Sequence, residues 1–128
     1  MSRSRTLVSL LDKYGWVRVT HVVQEFYEDM LQDPTLGPFF DRADINELVQ
    51  HQGVFLSMVM GGPKRHSPQA ISHAHAGLGI NHEDFEASIR YLAERLRTNG
   101  FDPSDTDEIV AVYRRYEPYI TSPRANPR

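Results

Sequence analysis

The chain has 128 residues, 14 of them Lys or Arg and 17 Asp or Glu, for a formal net charge of -3, and it contains no cysteine. That length suits one domain with a sizeable core and is too short for two, and the near-balanced charge without a basic run argues against nucleic acid or a membrane surface as partner. Without cysteine there is no disulfide framework and no thiolate metal site, so any metal must be held by His, carboxylate or Tyr.

The opening M-S-R-S-R-T is followed by only L-V-S-L-L before Asp12 and Lys13, too little apolar chain for a signal segment or a membrane span. A cytoplasmic protein is expected. Residues Thr6 to Leu11 read as a short helical lead-in closed by a turn at Lys13-Tyr14-Gly15. From there Val19, Val22, Val23, Phe26, Tyr27, Met30 and Leu31 recur at three- and four-residue steps, the pattern of a helix buried on one face, until Asp33-Pro34. Between Pro34 and Phe40 the Pro, Gly, Pro spacing forbids a long helix, and the aromatic pair Phe39-Phe40 reads as a core plug.

Asp44, with Glu47 three residues on, predicts a capping box opening the next helix, whose apolar stripe is Ile45, Leu48, Val49, Phe55, Leu56, Val59 and Met60. Gln52 falls within that stripe and His51 on its edge. A polar side chain on a buried face costs free energy unless it is hydrogen-bonded, so Gln52 is expected to need a partner inside. Gly61-Gly62-Pro63 ends the helix, and a polar loop, Lys64 to Ser67, follows.

The stretch I-S-H-A-H-A-G-L-G-I, Ile71 to Ile80, is the focus of the chemistry. Pro68 after Ser67 suits the first turn of a short apolar helix, and Gly77 its end. His75 then lies in the last turn, where one ring nitrogen can meet a metal while the other donates to a backbone carbonyl one turn earlier, for instance that of Ile71. An isolated His near a helix end is otherwise an exposed or capping residue. His73, two residues away, points to another face and cannot easily share a metal with His75. His82-Glu83 begins like the zincin H-E-x-x-H, but the fifth residue is Glu86.

Asn81 caps a further helix with the stripe Phe85, Ile89, Leu92 and Leu96, ending at Asn99-Gly100. Asp102-Pro103 opens a last one, with Ile109, Val112, Tyr113 and Tyr116 inward until Pro118. The class expected is all-α with five or six helices. One domain over residues 1–122 and a disordered tail over 123–128 complete the reading.

Several of these motifs together resemble the group I truncated haemoglobins. They are Phe26-Tyr27, L-x-P-F-F at 36–40, H-Q-x-x-F-L at 51–56, G-G-P at 61–63 and H-A-G-L-G-I at 75–80, in order and with matching gaps from about residue 7 to 122. Each motif alone is weak; the ordered set is specific. One departure is that the family usually carries Gly-Gly after its first short helix, where this chain has Gly15-Trp16.

The resemblance implies a two-over-two helical sandwich, the truncated globin fold, around one haem b. It makes His75 the proximal iron ligand and Phe40 the aromatic packed on the porphyrin, with Leu48, Phe55, Ile80 and Phe85 lining the slot. Tyr27 and Gln52 match the family's distal pair, whose phenol and amide donors stabilise a diatomic ligand that draws charge from iron. A hydrogen bond to a charged acceptor contributes about 1.5 to 3 kcal/mol. His51 has two placements, outward to a haem propionate or inward as a sixth ligand. Some relatives bind their haem covalently through a histidine of the last helix, and this chain has none from Pro103 to Ile120.

The implied ligands are dioxygen, nitric oxide and carbon monoxide, and the implied chemistry is oxygen binding with conversion of nitric oxide to nitrate. No flavin or nicotinamide segment is present, so a separate reductase would be needed. The rivals are a bis-histidyl redox or sensor protein, through His51, and a cofactor-free helical interaction domain.

Overall fold

The computed structural model describes residues 9–64 and 66–121. The first helix, α1 (Leu10–Gln32), begins at Ser9, whose hydroxyl accepts the Asp12 amide at 3.1 Å. It is two helices joined at a kink, because Gly15 sits at φ 84°, ψ 159°, a backbone conformation open in practice only to glycine. The expected break at Gly15 is therefore present, but Lys13 and Tyr14 before it are helical. The part of the expected lead-in from Thr6 to Val8, like the tail 123–128, lies outside the described residues. Trp16 continues the helix with its side chain half exposed, so a single glycine makes the turn. The kink lets Tyr14 stack on Phe101 at 3.9 Å between ring centroids and donate to the Asp105 carboxylate at 2.5 Å.

Beyond the kink, Val19, Val22, Val23, Phe26, Tyr27 and Met30 are buried as their spacing requires. Leu31 is not: it is 40 % exposed. It lies about 100° around the helix from Met30 in the last turn, and Met30 takes the inward position. A 3-10 turn, Gly37–Phe40, leads to α2 (Ile45–Val59), capped by Asp44 through the Glu47 amide at 3.3 Å. The reciprocal half of a capping box is not formed there. It is complete at α4 (His82–Thr98), where Asn81 and Asp84 exchange hydrogen bonds.

After α2, Gly61 and Gly62 bring the start of the chain close: a Cβ on Gly61 would meet Ser9 Cβ at 2.8 Å, and one on Gly62 the Ser57 carbonyl oxygen at 2.9 Å. Only hydrogen fits there, and the Leu11 amide donates to the Met60 carbonyl at 3.0 Å. Helix α3 (Pro68–His75) is capped by Ser67 and has Pro68 in its first turn, as expected. Its apolar character is a different matter, since only Ile71 of its eight residues is buried.

The final helix also differs. α5 (Pro103–Arg114) stops short, and a separate turn, α6 (Glu117–Ile120), carries Pro118 in its first turn, where a missing N–H costs nothing. Pro118 thus opens an element instead of closing one. Ile109 and Tyr113 are buried, while Val112 and Tyr116 are half-buried against the core.

Helix α1 packs on α2 and on α4, α4 packs on α5, and α3 lies against α6. Val19, Val22, Leu56, Phe85, Leu92, Leu96 and Ile109 are almost fully enclosed where these pairs meet. Each such side chain contributes about 1.5 to 3 kcal/mol on burial. Arg95 on α4 makes a two-pronged bond to Asp29 on α1, at 2.7 and 2.8 Å, fixing the crossing of the pair on its outer side. Among the described residues there is no strand, and no helix is long and apolar enough to cross a membrane.

Candidate functional site

Packing the helices as two pairs leaves a cavity of about 470 Å³ between α1, α2, α3 and α4, also lined by residues of the 3-10 turn, α5 and α6. That is a size typical of small-molecule and cofactor sites. Its wall is built by periodicity. From α2, Leu48, His51, Gln52 and Phe55 face it at steps of three, one and three; from α3, Ile71, Ala74 and His75 do so at steps of three and one. Helix α1 supplies Tyr27, the 3-10 turn Phe40, the chain after α3 Ile80, and α4 Phe85.

The nine residues that the resemblance assigned to the site all line this one space: Tyr27, Phe40, Leu48, His51, Gln52, Phe55, His75, Ile80 and Phe85. These positions are spread over 59 residues of chain, from 27 to 85. His75 Nδ1 lies 2.7 Å from the Ile71 carbonyl oxygen, to which it donates, and this fixes the ring and leaves Nε2 as the nitrogen available to a metal. His73, exposed, does not line the cavity.

On the α1 side, Tyr27 meets Phe40 edge to face, with ring centroids 5.4 Å apart, and burial pushes its phenol well above the usual range. Tyr27 therefore stays protonated as an O–H donor. Gln52 is half-buried, and among the described residues neither its side chain nor that of Tyr27 makes a protein hydrogen bond. Among the described residues no protein group meets the Gln52 amide, which faces the cavity. Tyr27 and Gln52 are not bonded to each other as a closed core pair would be. At the far end Tyr113 stacks on Phe85, with centroids 5.4 Å apart and planes within 6°, and burial pushes its phenol up to about 12.

Other polar groups of the wall, His66, Asp84 and Ser88, were not singled out. Ser88 lines the cavity but is satisfied by the Phe85 carbonyl at 2.6 Å. His66, in the loop before α3, also lines it, and its Nε2 is buried without a partner. Nothing in the local sequence marks that histidine, which belongs to no helical stripe. Of the other histidines, His21 and His73 are exposed, and His82 forms a surface pair with Glu117 at 2.6 Å. Glu86, which stands where a zincin would need histidine, approaches both of them but is paired with Arg114.

Comparison with known proteins agrees with this architecture. The family model described as Bacterial-like globin matches residues 9–122. A group 1 truncated haemoglobin of Synechocystis sp. is 31% identical over 102 residues, covering 77% of this chain and 82% of the relative. Another, of Tetrahymena pyriformis, is 30% identical over 87 residues, covering 68% and 72%. Among solved structures, the 2/2 haemoglobin from Synechococcus sp. PCC 7002, in the cyanomet state with covalently attached haem, aligns with a TM-score of 0.80 at 25% identity. That alignment covers 88% of this chain and 98% of the other. The chain belongs to the bacterial-like globins, as one of the group 1 truncated haemoglobins with the two-over-two helical fold.

Proposed function

We propose that this protein holds haem b in the cavity between α2 and α3 with His75 on the iron, and reversibly binds dioxygen and other diatomic ligands beside Tyr27 and Gln52. Membership of the globin family implies haem-based binding of diatomic gases. The observation that carries the reading for this chain is the His75 ring, held by Ile71 so that one nitrogen remains for a metal at an apolar cavity. The donor set fits: one fixed imidazole, aromatic and aliphatic walls from Phe40, Leu48, Phe55, Ile80 and Phe85, and two unpaired donors.

When bound, haem supplies an iron that takes up a diatomic ligand and exchanges electrons with it. The protein's part is to orient and to select. His75 donates Nδ1–H to Ile71, which raises the electron-donating power of Nε2. Tyr27, kept neutral by burial, and Gln52 each offer an N–H or O–H to a ligand that carries partial negative charge, and neither must first break a protein hydrogen bond. Polar ligands are thereby favoured over carbon monoxide.

The proposal extends to conversion of nitric oxide to nitrate, in which nitric oxide, dioxygen and one electron give one nitrate ion. The electron would come from a separate reductase protein. The bis-histidyl alternative rests on His51, which lines the cavity and could turn inward, although its side chain is exposed. Absorption spectra of the ferric, ferrous and carbonyl-bound protein test the proposal. A Soret band that shifts on carbonyl binding is expected. No Soret band would refute haem binding, and a ferrous spectrum that carbon monoxide leaves unchanged would refute an open ligand site.

A further inference from the structure

Resting on the haem reading, we infer that His66 is a cofactor-binding residue, donating Nε2–H to a carboxylate of the bound macrocycle. Haem b carries two propionates, and a carboxylate placed against protein needs charged or strong hydrogen-bond donors. Among the described residues, the cavity is lined by no Lys and no Arg; its only side chains that can carry positive charge are His51, His66 and His75. His75 is committed to the iron. Asp84, the one carboxylate in the wall, is bound to the Asn81 amide at 3.1 Å and repels an anion. Among the described residues, His51 and His66 are therefore the lining side chains left to meet the carboxylates.

These two rings are neighbours, with centroids 6.0 Å apart and planes tilted by 56°. They come from different elements, α2 and the loop before α3, so together they flank one edge of the cavity. His51 is exposed, whereas the Nε2 atom of His66 is buried without a partner. A buried polar nitrogen left unsatisfied costs free energy, and a ligand carboxylate removes that cost. The loop holds the residue in place: the His66 backbone amide donates to the Met58 sulfur at 3.3 Å, anchoring it on the end of α2. His66 thus has a backbone amide bonded to Met58 and, among the described residues, a buried nitrogen without a partner, and it bonds the propionate whichever way His51 turns.

The test is the rate at which the haem-loaded protein gives up its haem to an excess of apomyoglobin, measured for wild type, His66→Phe and His66→Gln. Each is loaded with haem or with haem dimethyl ester, which has the same macrocycle without ionised carboxylates. His66→Phe should lose native haem roughly tenfold faster than wild type, as expected for one hydrogen bond to a charged acceptor. His66→Gln, which keeps an N–H donor, should stay close to wild type. With the dimethyl ester the three proteins should release at similar rates. Equal acceleration by His66→Phe with both cofactors would mean a packing role and overturn the inference. So would native-haem loss unchanged in His66→Phe, or as fast in His66→Gln as in His66→Phe. A wild-type protein with no Soret band would overturn the haem reading itself, and this inference with it.

Discussion

The imidazole Nδ1 of His75 lies 2.7 Å from the carbonyl oxygen of Ile71, one helical turn earlier on α3. That carbonyl belongs to the one fully buried residue of the helix, so the ring is tied to the best-anchored part of an otherwise exposed element. The orientation of the proposed iron ligand is therefore set by the protein's own backbone.

Tyr27 and Gln52 should act on ligand departure more than on arrival, because their hydrogen bonds form only after the ligand is in place. The double variant Tyr27→Phe, Gln52→Ala is expected to raise the dioxygen dissociation rate by at least about tenfold, equivalent to about 1.4 kcal/mol. Stopped-flow displacement of dioxygen by carbon monoxide measures it. Carbon monoxide dissociation should change less, and an unaltered dioxygen rate would remove both residues from the ligand site.

Much of this was legible in the sequence, because helix caps and three-four periodicity are local signals. Asp44, Ser67 and Asn81 each cap the helix they were expected to open, and Phe85, Ile89, Leu92 and Leu96 are buried as one stripe. The ordered motifs then named a cavity wall that no single motif could. What escaped depends on contacts between distant elements. His66 acquires its buried nitrogen from the way the loop folds onto Met58, and Leu31 is exposed because Met30 already fills the inward position. Pro118 was read as closing the last helix, but a proline can also start one, and here it opens the turn that buries Ile120.

The kink at Gly15 requires a backbone conformation that strains any side chain, although no atom of the described residues lies within 4 Å of an added Cβ. Gly15→Ala should thus destabilise the protein by about 1 to 3 kcal/mol through strain alone. Trp16→Gly removes a half-exposed ring from ordinary helix and should cost only about 0.5 to 1 kcal/mol, the helix-propensity difference. Urea unfolding followed by circular dichroism distinguishes them; equal effects would contradict the strain argument.

No covalent bond between haem and protein should form. The Synechococcus haemoglobin carries covalently attached haem, but no histidine occurs here from Pro103 to Ile120, the last two helices. Acid-butanone extraction should remove all of the haem into the organic layer, and haem retained by the denatured protein would refute this.

His51 stands exposed at the rim of the cavity, also bordering a surface groove beside Trp16 and Thr20. From there an inward swing must displace Leu48 or shift α2, so the outward position is the expected one. The ferrous, ligand-free protein should accordingly show a five-coordinate spectrum. A six-coordinate low-spin spectrum that turns five-coordinate in His51→Ala would establish the bis-histidyl form instead. Such an internal ligand would also lower apparent dioxygen affinity in proportion to the open fraction.

The central claim is that His75 holds the iron, and the carbonyl spectrum of His75→Ala tests it most directly. Expressed and purified beside wild type and His73→Ala, the His75→Ala protein should lack stably bound haem, or regain a normal ferrous carbonyl spectrum only with added imidazole. His73→Ala should match wild type. A normal carbonyl spectrum in His75→Ala without imidazole, together with haem loss in His73→Ala, would contradict the account.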